Sequence, residues 1–286
     1  MIMKKNLLKA GVILLAGVLM CSSCNQRPKV QENKGSDSKG PAGTIEIGAF
    51  DAVKLKDQIV ETIKSAPEPK ELANFINQAG ISYILGLTLP AKDVEKYLTA
   101  VDQSLACGIY KFDALYAKTY NRYDVVLQLY DVNEKIIRKL GLEGELATLK
   151  KYDDRIKQNT GNTDSLNVII PKVIDELAQS YSAGEHSGVY ALTFVGANIE
   201  GLYILTQVAL MNKDNASFIK FIGQQKERVK SNYELLRMME ADASVAPIFE
   251  KMKPIMDFFN SNQDFVAKQL AEVAPLVEQL RAEIVK

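Results

Sequence analysis

Two short segments with the same pattern hold the residues that could do chemistry. Residues 113–116 read DALY and residues 200–203 read EGLY: an acid, a small residue, a leucine and a tyrosine, 87 positions apart. In each segment the acid and the tyrosine are three residues apart, so both lie on one face of a helix. A carboxyl group in an apolar pocket has a raised pKa, and it can act as a general acid or bind a polar ligand.

Tyr110 lies on the same stripe as the first segment, and Tyr120 is close to it. If the two segments face each other, their side chains form one buried polar cluster. The residues predicted to bind a ligand there are Tyr110, Asp113, Tyr116, Glu200 and Tyr203.

The same residues also have a purely structural interpretation, which we favour. A buried carboxylate costs several kcal/mol unless it is hydrogen-bonded, paired or protonated. Each acid can be satisfied by a tyrosine hydroxyl or a lysine of a neighbouring helix, and it then fixes helix packing. For Glu200 this interpretation predicts a tyrosine or lysine partner and only mild destabilisation in Glu200→Gln.

Little else in the sequence indicates catalysis. The single histidine, His186, stands among glycines at a predicted helix start, where a solvated histidine is expected. Cys107 lies in an apolar stretch and is predicted to be a buried, inert thiol. The sequence has no phosphate-binding loop, no CxxC and no HExxH. We therefore predict no metal and no cofactor, and rank an enzyme, using Asp113 or Glu200, below a binding protein.

The N-terminus predicts a lipoprotein signal peptide over residues 1–23. Three lysines precede an apolar run that is too short to span a bilayer permanently, and cysteines follow at 21 and 24. Cys24 is the preferred lipidation site because two serines precede it. Cys21 is the alternative because no Leu or Val stands three residues before Cys24. An ordinary cleaved signal with incidental cysteines is a third interpretation.

Residues 24–43 are predicted to be a flexible tether. They are polar, contain two prolines and no aromatic residue, and cannot bury enough apolar area to fold. Asn25 would follow the lipidated cysteine in place of a retention aspartate, which favours the outer membrane. The chain carries 35 basic and 35 acidic residues, a balance that argues against nucleic-acid binding.

The remaining residues, 44–286, are predicted to form one all-α domain, a single multi-helix bundle. Residues 193–211 carry only one charge and read as its central helix, covered on all sides. Amphipathic helices are expected at 51–66, 71–79, 123–140, 143–158, 165–182 and 216–239. Pro90 is expected to start a long helix through Gly108, followed by another to about Tyr120, and residues 81–89 are ambiguous.

The C-terminal stretch carries a heptad-like row of apolar residues, which we call the seam. We expect the seam to dock against the bundle, and dimerisation is the less favoured alternative. The members of the seam are Val266, Leu270, Val273, Val277, Leu280 and Ile284. Because Pro275 interrupts the seam, two collinear helices remain an alternative to one continuous helix. The repeated acid–tyrosine pattern would be explained by a duplicated helical-hairpin unit.

Residues 108–116, the helix ending at residues 136–142, and residues 199–203 resemble a set of uncharacterised Bacteroidetes lipoproteins. Those proteins carry a Gly-Val-Tyr helix, a second helix ending near Lys-x-Leu-Gly-Ile, and a Glu-x-Leu-Tyr helix. The resemblance implies a helical fold and an envelope location, and it brings no activity. Residues 164–166 (DSL) are similar to the O-glycosylation acceptor of exported Bacteroidetes proteins, with Ser165 as acceptor. A helix N-cap at Asp164 or Ser165 explains the same residues.

The sequence thus predicts a monomeric, lipid-anchored envelope protein of non-catalytic binding or scaffold type, with a protein partner. The alternative is a binder of a small polar ligand at the acid–tyrosine cluster.

Overall fold

The computed structural model describes residues 47, 50–65, 75–77, 80–159, 162, 164–166, 168–169, 172–173, 176, 186–262 and 264–286. The described residues form helices and contain no strand, which confirms the predicted all-α bundle. The predicted signal peptide and tether at 1–43, with Cys21 and Cys24, lie outside the described residues.

The helices are numbered here in chain order. They are α1 (Ala52–Ser65), α2 (Ala100–Thr119), α3 (Tyr123–Lys139), α4 (Glu143–Gln158), α5 (Ser187–Met211), α6 (Ala216–Gly223), α7 (Lys226–Met238), α8 (Ala246–Ser261) and α9 (Ala267–Val285). A 3-10 helix, Ala91–Lys96, precedes α2.

Helix α5 is the centre of the bundle, as predicted from its composition. It packs against α1, α2, α6, α7 and α9, most extensively against α2. Within the described ranges it is the one helix long and apolar enough to cross a membrane, and most of its apolar stretch is buried in the bundle. A helix that is apolar all round is stable in water only under such cover.

Helices α2 and α5 run parallel and touch backbone to backbone. A Cβ atom on Gly108 would lie 2.0 Å from the carbonyl oxygen of Thr193, and one on Gly196 would lie 2.1 Å from that of Leu105. Farther along, a Cβ on Gly201 would meet the ring of Phe112. The contact moves from Leu105 and Gly196 to Phe112 and Gly201, so it advances along both helices in the same direction and the helices are parallel. Glycine is needed here because any side chain would push the two backbones apart.

Helix α2 begins ten residues later than predicted. The threonine before it, Thr99, accepts a hydrogen bond from the amide of Asp102, and the Asp102 carboxylate accepts from the amide of Thr99. This capping box starts the helix. The predicted helix from Pro90 through Gly108 is therefore wrong over its first half, and the two helices expected up to Tyr120 are one.

Residues 80–99, which we call the strap, lie antiparallel along α2. The amide of Ile84 donates to the hydroxyl of Tyr116 (3.0 Å), and the amide of Leu89 donates to the carboxyl of Asp113 (2.8 Å). Farther along the strap, the Tyr110 hydroxyl donates to the carbonyl of Pro90 (3.0 Å). Side chains of α2 thus satisfy backbone groups that the strap cannot satisfy itself.

Two further boundaries differ from the predictions. The helix expected over 216–239 is broken at Gly223, where a Cβ atom would lie 2.7 Å from that of Phe265, so α6 and α7 are separate. Helix α9 runs unbroken through Pro275, so the two-helix alternative is wrong.

The C-terminal seam docks against α5 and α8, as expected. Its residues from Leu270 onwards are buried, whereas Val266 precedes the helix and is 56% exposed.

Candidate functional site

The two acids of the repeated pattern meet between α2 and α5. Asp113 and Glu200 are both fully buried, and their carboxyl groups lie close enough to shift each other's pKa. The parallel packing of the helices brings the two positions to the same level. The structure therefore confirms that the two segments face each other, while the duplication that would explain them stays a prediction.

Glu200 is paired with an arginine, Arg281 of α9. Nε of Arg281 donates to Oε2 of Glu200 at 2.6 Å, and Nη2 donates to Oε1 at 2.9 Å. The predicted tyrosine or lysine partner is thus wrong. An arginine fits better because its planar fork satisfies both carboxylate oxygens at once. The guanidinium also lies 4.2 Å from the ring centroid of Tyr203.

Of the two acids, Asp113 is the one that holds the proton. Burial raises the pKa of Asp113 well above its usual range, and repulsion from Glu200 raises it further. Burial also raises the pKa of Glu200, but the Arg281 guanidinium opposes that shift. Oδ1 of Asp113 is buried and meets no donor among the described groups. A protonated Oδ1 that donates to the Glu200 carboxylate explains this geometry.

The predicted tyrosines lie in two clusters. One surrounds Asp113 and Glu200, which we call the acid cluster, and the other surrounds Tyr116. The ring of Tyr110 lies edge-on to Tyr97 at 6.5 Å, and Tyr203 stacks on Arg281. Burial raises the pKa of Tyr97 to about 12, and its buried hydroxyl has no partner among the described residues.

Tyr116 does not join the acids, in contrast to the prediction. It packs against Tyr83 and Tyr120 with ring centroids 5.2 Å away in each case, and Arg122 lies over the Tyr83 ring. Its hydroxyl accepts the hydrogen bond from the amide of Ile84 in the strap. Tyr116 and Asp113 lie on the same face of α2, but that face contacts Glu200 of α5 at Asp113 and the ring of Tyr83 at Tyr116.

Two cavities in the described part of the chain are lined by residues other than Asp113 and Glu200. A small one lies between α5 and α7, and a surface concavity is lined in part by Arg155, Asp164 and Ser165. None of the five predicted ligand-binding residues lines either of them. The described part of the chain also holds no group of three His, Cys, Asp or Glu side chains that could bind a metal ion.

Ser165, the predicted glycosylation acceptor, is half-buried at that surface concavity. Its amide donates to Oδ1 of Asn162 at 3.0 Å, and the amide of Leu166 donates to the carbonyl of Asn162. Asn162 therefore plays the capping role that was expected at Asp164 or Ser165. The reason is that residues 164–166 are already helical.

The two remaining chemistry-bearing residues lie where they were expected. Cys107 is a buried cysteine whose Sγ donates to Oδ1 of Asn133 at 3.5 Å. His186 occupies the N-cap position of α5, and its side chain does not cap the helix.

Sequence reasoning missed Arg281 and the strap's backbone amides, which complete the cluster. Arg281 stands directly after Leu280 of the seam, a position where an arginine is usually solvated, so the sequence offers no signal for its burial. The capping residues Thr99 and Asp102 do provide a signal, because they exclude a helix that continues across the strap. Comparisons with protein-family models, with curated proteins and with solved structures gave no match for this chain.

Proposed function

We propose that the protein is a lipid-anchored, non-catalytic scaffold of the cell envelope whose bundle presents the strap to a protein partner. The observation that carries this proposal is the way the strap is held. Three side chains of α2, at positions 110, 113 and 116, bind its backbone, and Lys139 of α3 pairs with Glu95 at 2.8 Å. Binding residues are commonly placed on loops that a rigid framework positions.

The strap exposes two large apolar side chains in spite of this firm attachment. Leu85 is 79% exposed and Leu98 is 80% exposed, more than the other large apolar residues described. Leu85 is followed by Gly86, whose positive φ of 79° forms a turn. Fixed apolar side chains at the surface favour a protein contact because little ordering entropy is lost on binding.

The cluster around Asp113 and Glu200 supports a non-catalytic role. Its single arginine is already engaged in an ion pair with Glu200, and the carboxyl group of Asp113 accepts the amide of Leu89 in the strap. A carboxyl group that acts as general acid must reach a substrate. We therefore propose that this cluster holds the fold together and that no substrate is processed there.

Binding of a small polar ligand at the cluster is the second candidate. The buried hydroxyl of Tyr97, which lacks a partner among the described groups, favours it. A ligand that hydrogen-bonds this hydroxyl would raise the melting temperature of the wild type more than that of Tyr97→Phe.

A photo-crosslinking amino acid at position 85 or 98 tests the scaffold function in intact cells. We expect one defined adduct from each position, and no adduct from Met211, an apolar residue that is 63% exposed at the end of α5. A partner that bound non-specifically would react equally at Met211. Equal adducts at all three positions, or none at 85 and 98, would contradict the proposal.

Lipid anchoring is tested separately by cell fractionation. We propose Cys24 as the lipidated residue and the outer membrane as the location, and the protein as a monomer. Cys24→Ala should release the protein from the membrane fraction, whereas Cys21→Ala should leave it anchored. The reverse pattern would move the anchor to Cys21.

A further inference from the structure

The chain enters the bundle at the N-terminal end of the central helix α5. Ile47 is buried, and a Cβ atom on Gly188, in the first turn of α5, would lie 2.8 Å from the ring of Phe50. Helix α1 begins two residues after Phe50, so its first turn also lies here, because each residue extends the chain by at most about 3.6 Å. We call this end of the bundle the entry end.

Helix α2 also begins at the entry end, because it runs parallel to α5 and packs against the first half of it, with Leu105 beside Gly196. Leu98 lies two residues before α2 and is therefore at the entry end. The other end of the strap lies far from it: the amide of Ile84 donates to the hydroxyl of Tyr116, in the last turns of α2.

Exposed large apolar side chains occur at both ends of the bundle. Val53, in the first turn of α1, is 72% exposed and lies with Leu98 at the entry end. Leu85, next to Ile84, and Met211, the last residue of α5, lie at the opposite end. Exposure alone therefore does not tell which end meets a membrane, and the position of the lipid anchor has to decide it.

The length of the predicted tether favours the entry end. Cys24 is separated from the buried Ile47 by residues 25–46, and a polar chain of that length spans roughly 25 Å on average. The opposite end of the bundle lies one α5 length farther away, 25 residues or roughly 37 Å. The anchor thus holds the entry end next to the bilayer, and the opposite end reaches it only if the tether is stretched back along the bundle.

We propose that the entry end of the bundle rests on the surface of the lipid bilayer, with Val53 and Leu98 in contact with lipid. The proposal rests on the lipid anchor proposed above. A single aliphatic side chain buries little apolar area, so each contact is weak alone. The anchor makes the contact intramolecular, and the high effective concentration of lipid compensates for this weakness.

The charges beside the two side chains suit a neutral lipid surface. Lys54, next to Val53, pairs with Asp51 at 3.2 Å, and Lys96, two residues before Leu98, pairs with Asp93 at 3.2 Å. Because these pairs balance each other's charge, contact with the bilayer does not require anionic lipid. It depends on the apolar side chains and on the anchor.

The orientation also constrains the protein partner. The strap extends from the bilayer surface at Leu98 to the opposite end of the bundle at Leu85. A partner that contacts both positions must itself reach the bilayer surface, where it shares Leu98 with the lipid.

Single-tryptophan variants on vesicles test the orientation, because the chain contains no tryptophan of its own. Val53→Trp and Leu98→Trp are compared with the matched controls Leu85→Trp and Met211→Trp, which are exposed at the opposite end. The mature chain, from Cys24 onwards, is coupled through Cys24 to a maleimide-bearing lipid in phosphatidylcholine vesicles with brominated acyl chains. Cys107 is buried and does not compete for the coupling.

Bromine quenches an indole only when it is close. We expect Val53→Trp and Leu98→Trp to lose most of their fluorescence relative to vesicles without bromine, and Leu85→Trp and Met211→Trp to keep theirs. Equal quenching at all positions would show that the indole itself seeks the interface and would overturn the proposal, as would unquenched fluorescence at 53 and 98. Because the lipid is attached chemically, the result does not depend on lipidation in cells, which cell fractionation tests separately.

Discussion

Arg281 and Glu200 form a two-point ion pair across 81 positions of the chain. The carboxylate belongs to the central helix α5 and the guanidinium to α9, so the pair fastens the last described helix to the core. The carboxylate is fully buried, and the arginine side chain is 13% exposed. This pair explains why a charge is retained in the centre of an otherwise apolar helix.

Removal of the carboxylate should be far more destabilising than the sequence alone led us to expect. Glu200→Gln leaves Arg281 as a buried cation, and breaking a buried pair in this way costs about 3–5 kcal/mol. Denaturant unfolding measures the loss. In Glu200→Gln, Asp113 can ionise and restore part of the lost unfolding free energy by pairing with Arg281. The double variant Asp113→Asn/Glu200→Gln should therefore lose more unfolding free energy than the sum of the changes in the two single variants. Additive losses would show that Asp113 does not respond.

Replacing both members of the ion pair distinguishes the contribution of charge to stability from that of side-chain packing. Glu200→Leu combined with Arg281→Met buries no charge and should be close to the wild type in stability, since apolar replacement of a buried pair is often neutral. If the double variant unfolded as easily as Glu200→Gln, loss of shape would be the cause and the ion-pair explanation would be wrong.

Stability should depend on pH through Asp113. Its folded-state pKa is raised, so above about pH 4 the unfolded chain loses this proton while the native protein keeps it. The free energy of unfolding therefore falls as pH rises from about 4 towards the raised pKa, by up to about 1.4 kcal/mol per pH unit. The raised pKa of Glu200 contributes with the same sign.

Asp113→Asn should flatten this pH dependence. An asparagine can donate to Glu200 and accept from the amide of Leu89, so it imitates the protonated acid at every pH. We expect the variant to gain stability relative to the wild type between pH 4 and pH 8, measured by urea unfolding. Asp154→Asn, which removes an exposed carboxyl group from α4, is the control. If the unfolding free energies of the wild type and Asp113→Asn changed with pH in parallel, Asp113 would not be protonated in the native protein.

The close approach of α2 and α5 predicts opposite effects for matched glycine substitutions. Gly108→Ala and Gly196→Ala place a Cβ atom about 2 Å from backbone oxygens of the facing helix, and backbone cannot give way as a side chain can. Each should cost more than about 4 kcal/mol or prevent folding. Gly144→Ala in α4 meets nothing within 4 Å and should stabilise by about 0.5–1 kcal/mol. Thermal melts of the three variants suffice.

The attachment of the strap can be tested at one amide. Tyr116→Phe removes the acceptor of the Ile84 amide, so hydrogen exchange at Ile84 should speed up while exchange in α5 stays slow. Tyr130→Phe is the control because its hydroxyl donates to the carbonyl of Leu149, away from the strap. Unchanged exchange at Ile84 would mean that the strap is held elsewhere.

The sequence predicted the features that depend on local pattern. The apolar composition of α5 and the seam of α9 indicated burial and docking, and the repeated acid–tyrosine spacing indicated that Asp113 and Glu200 would meet. These predictions worked because periodicity and composition record which face of a helix is covered.

The features that failed depend on distant partners. Nothing near Arg281 marks Glu200 as its partner, since an arginine beside a seam is usually a solvated flanking residue. The strap was missed because its apolar residues, Ile81 to Leu89, have no period of their own and are held by hydrogen bonds from α2. Tyr116 was misplaced because a single helix stripe can border two neighbours.

The position of Arg281 late in the chain also constrains the order of folding. Asp113 and Glu200 leave the ribosome well before their arginine, and until α9 docks two acidic groups must share one cleft without a counterion. Water has to solvate that cleft during synthesis. A chain that ends before α9 therefore lacks the guanidinium that neutralises Glu200.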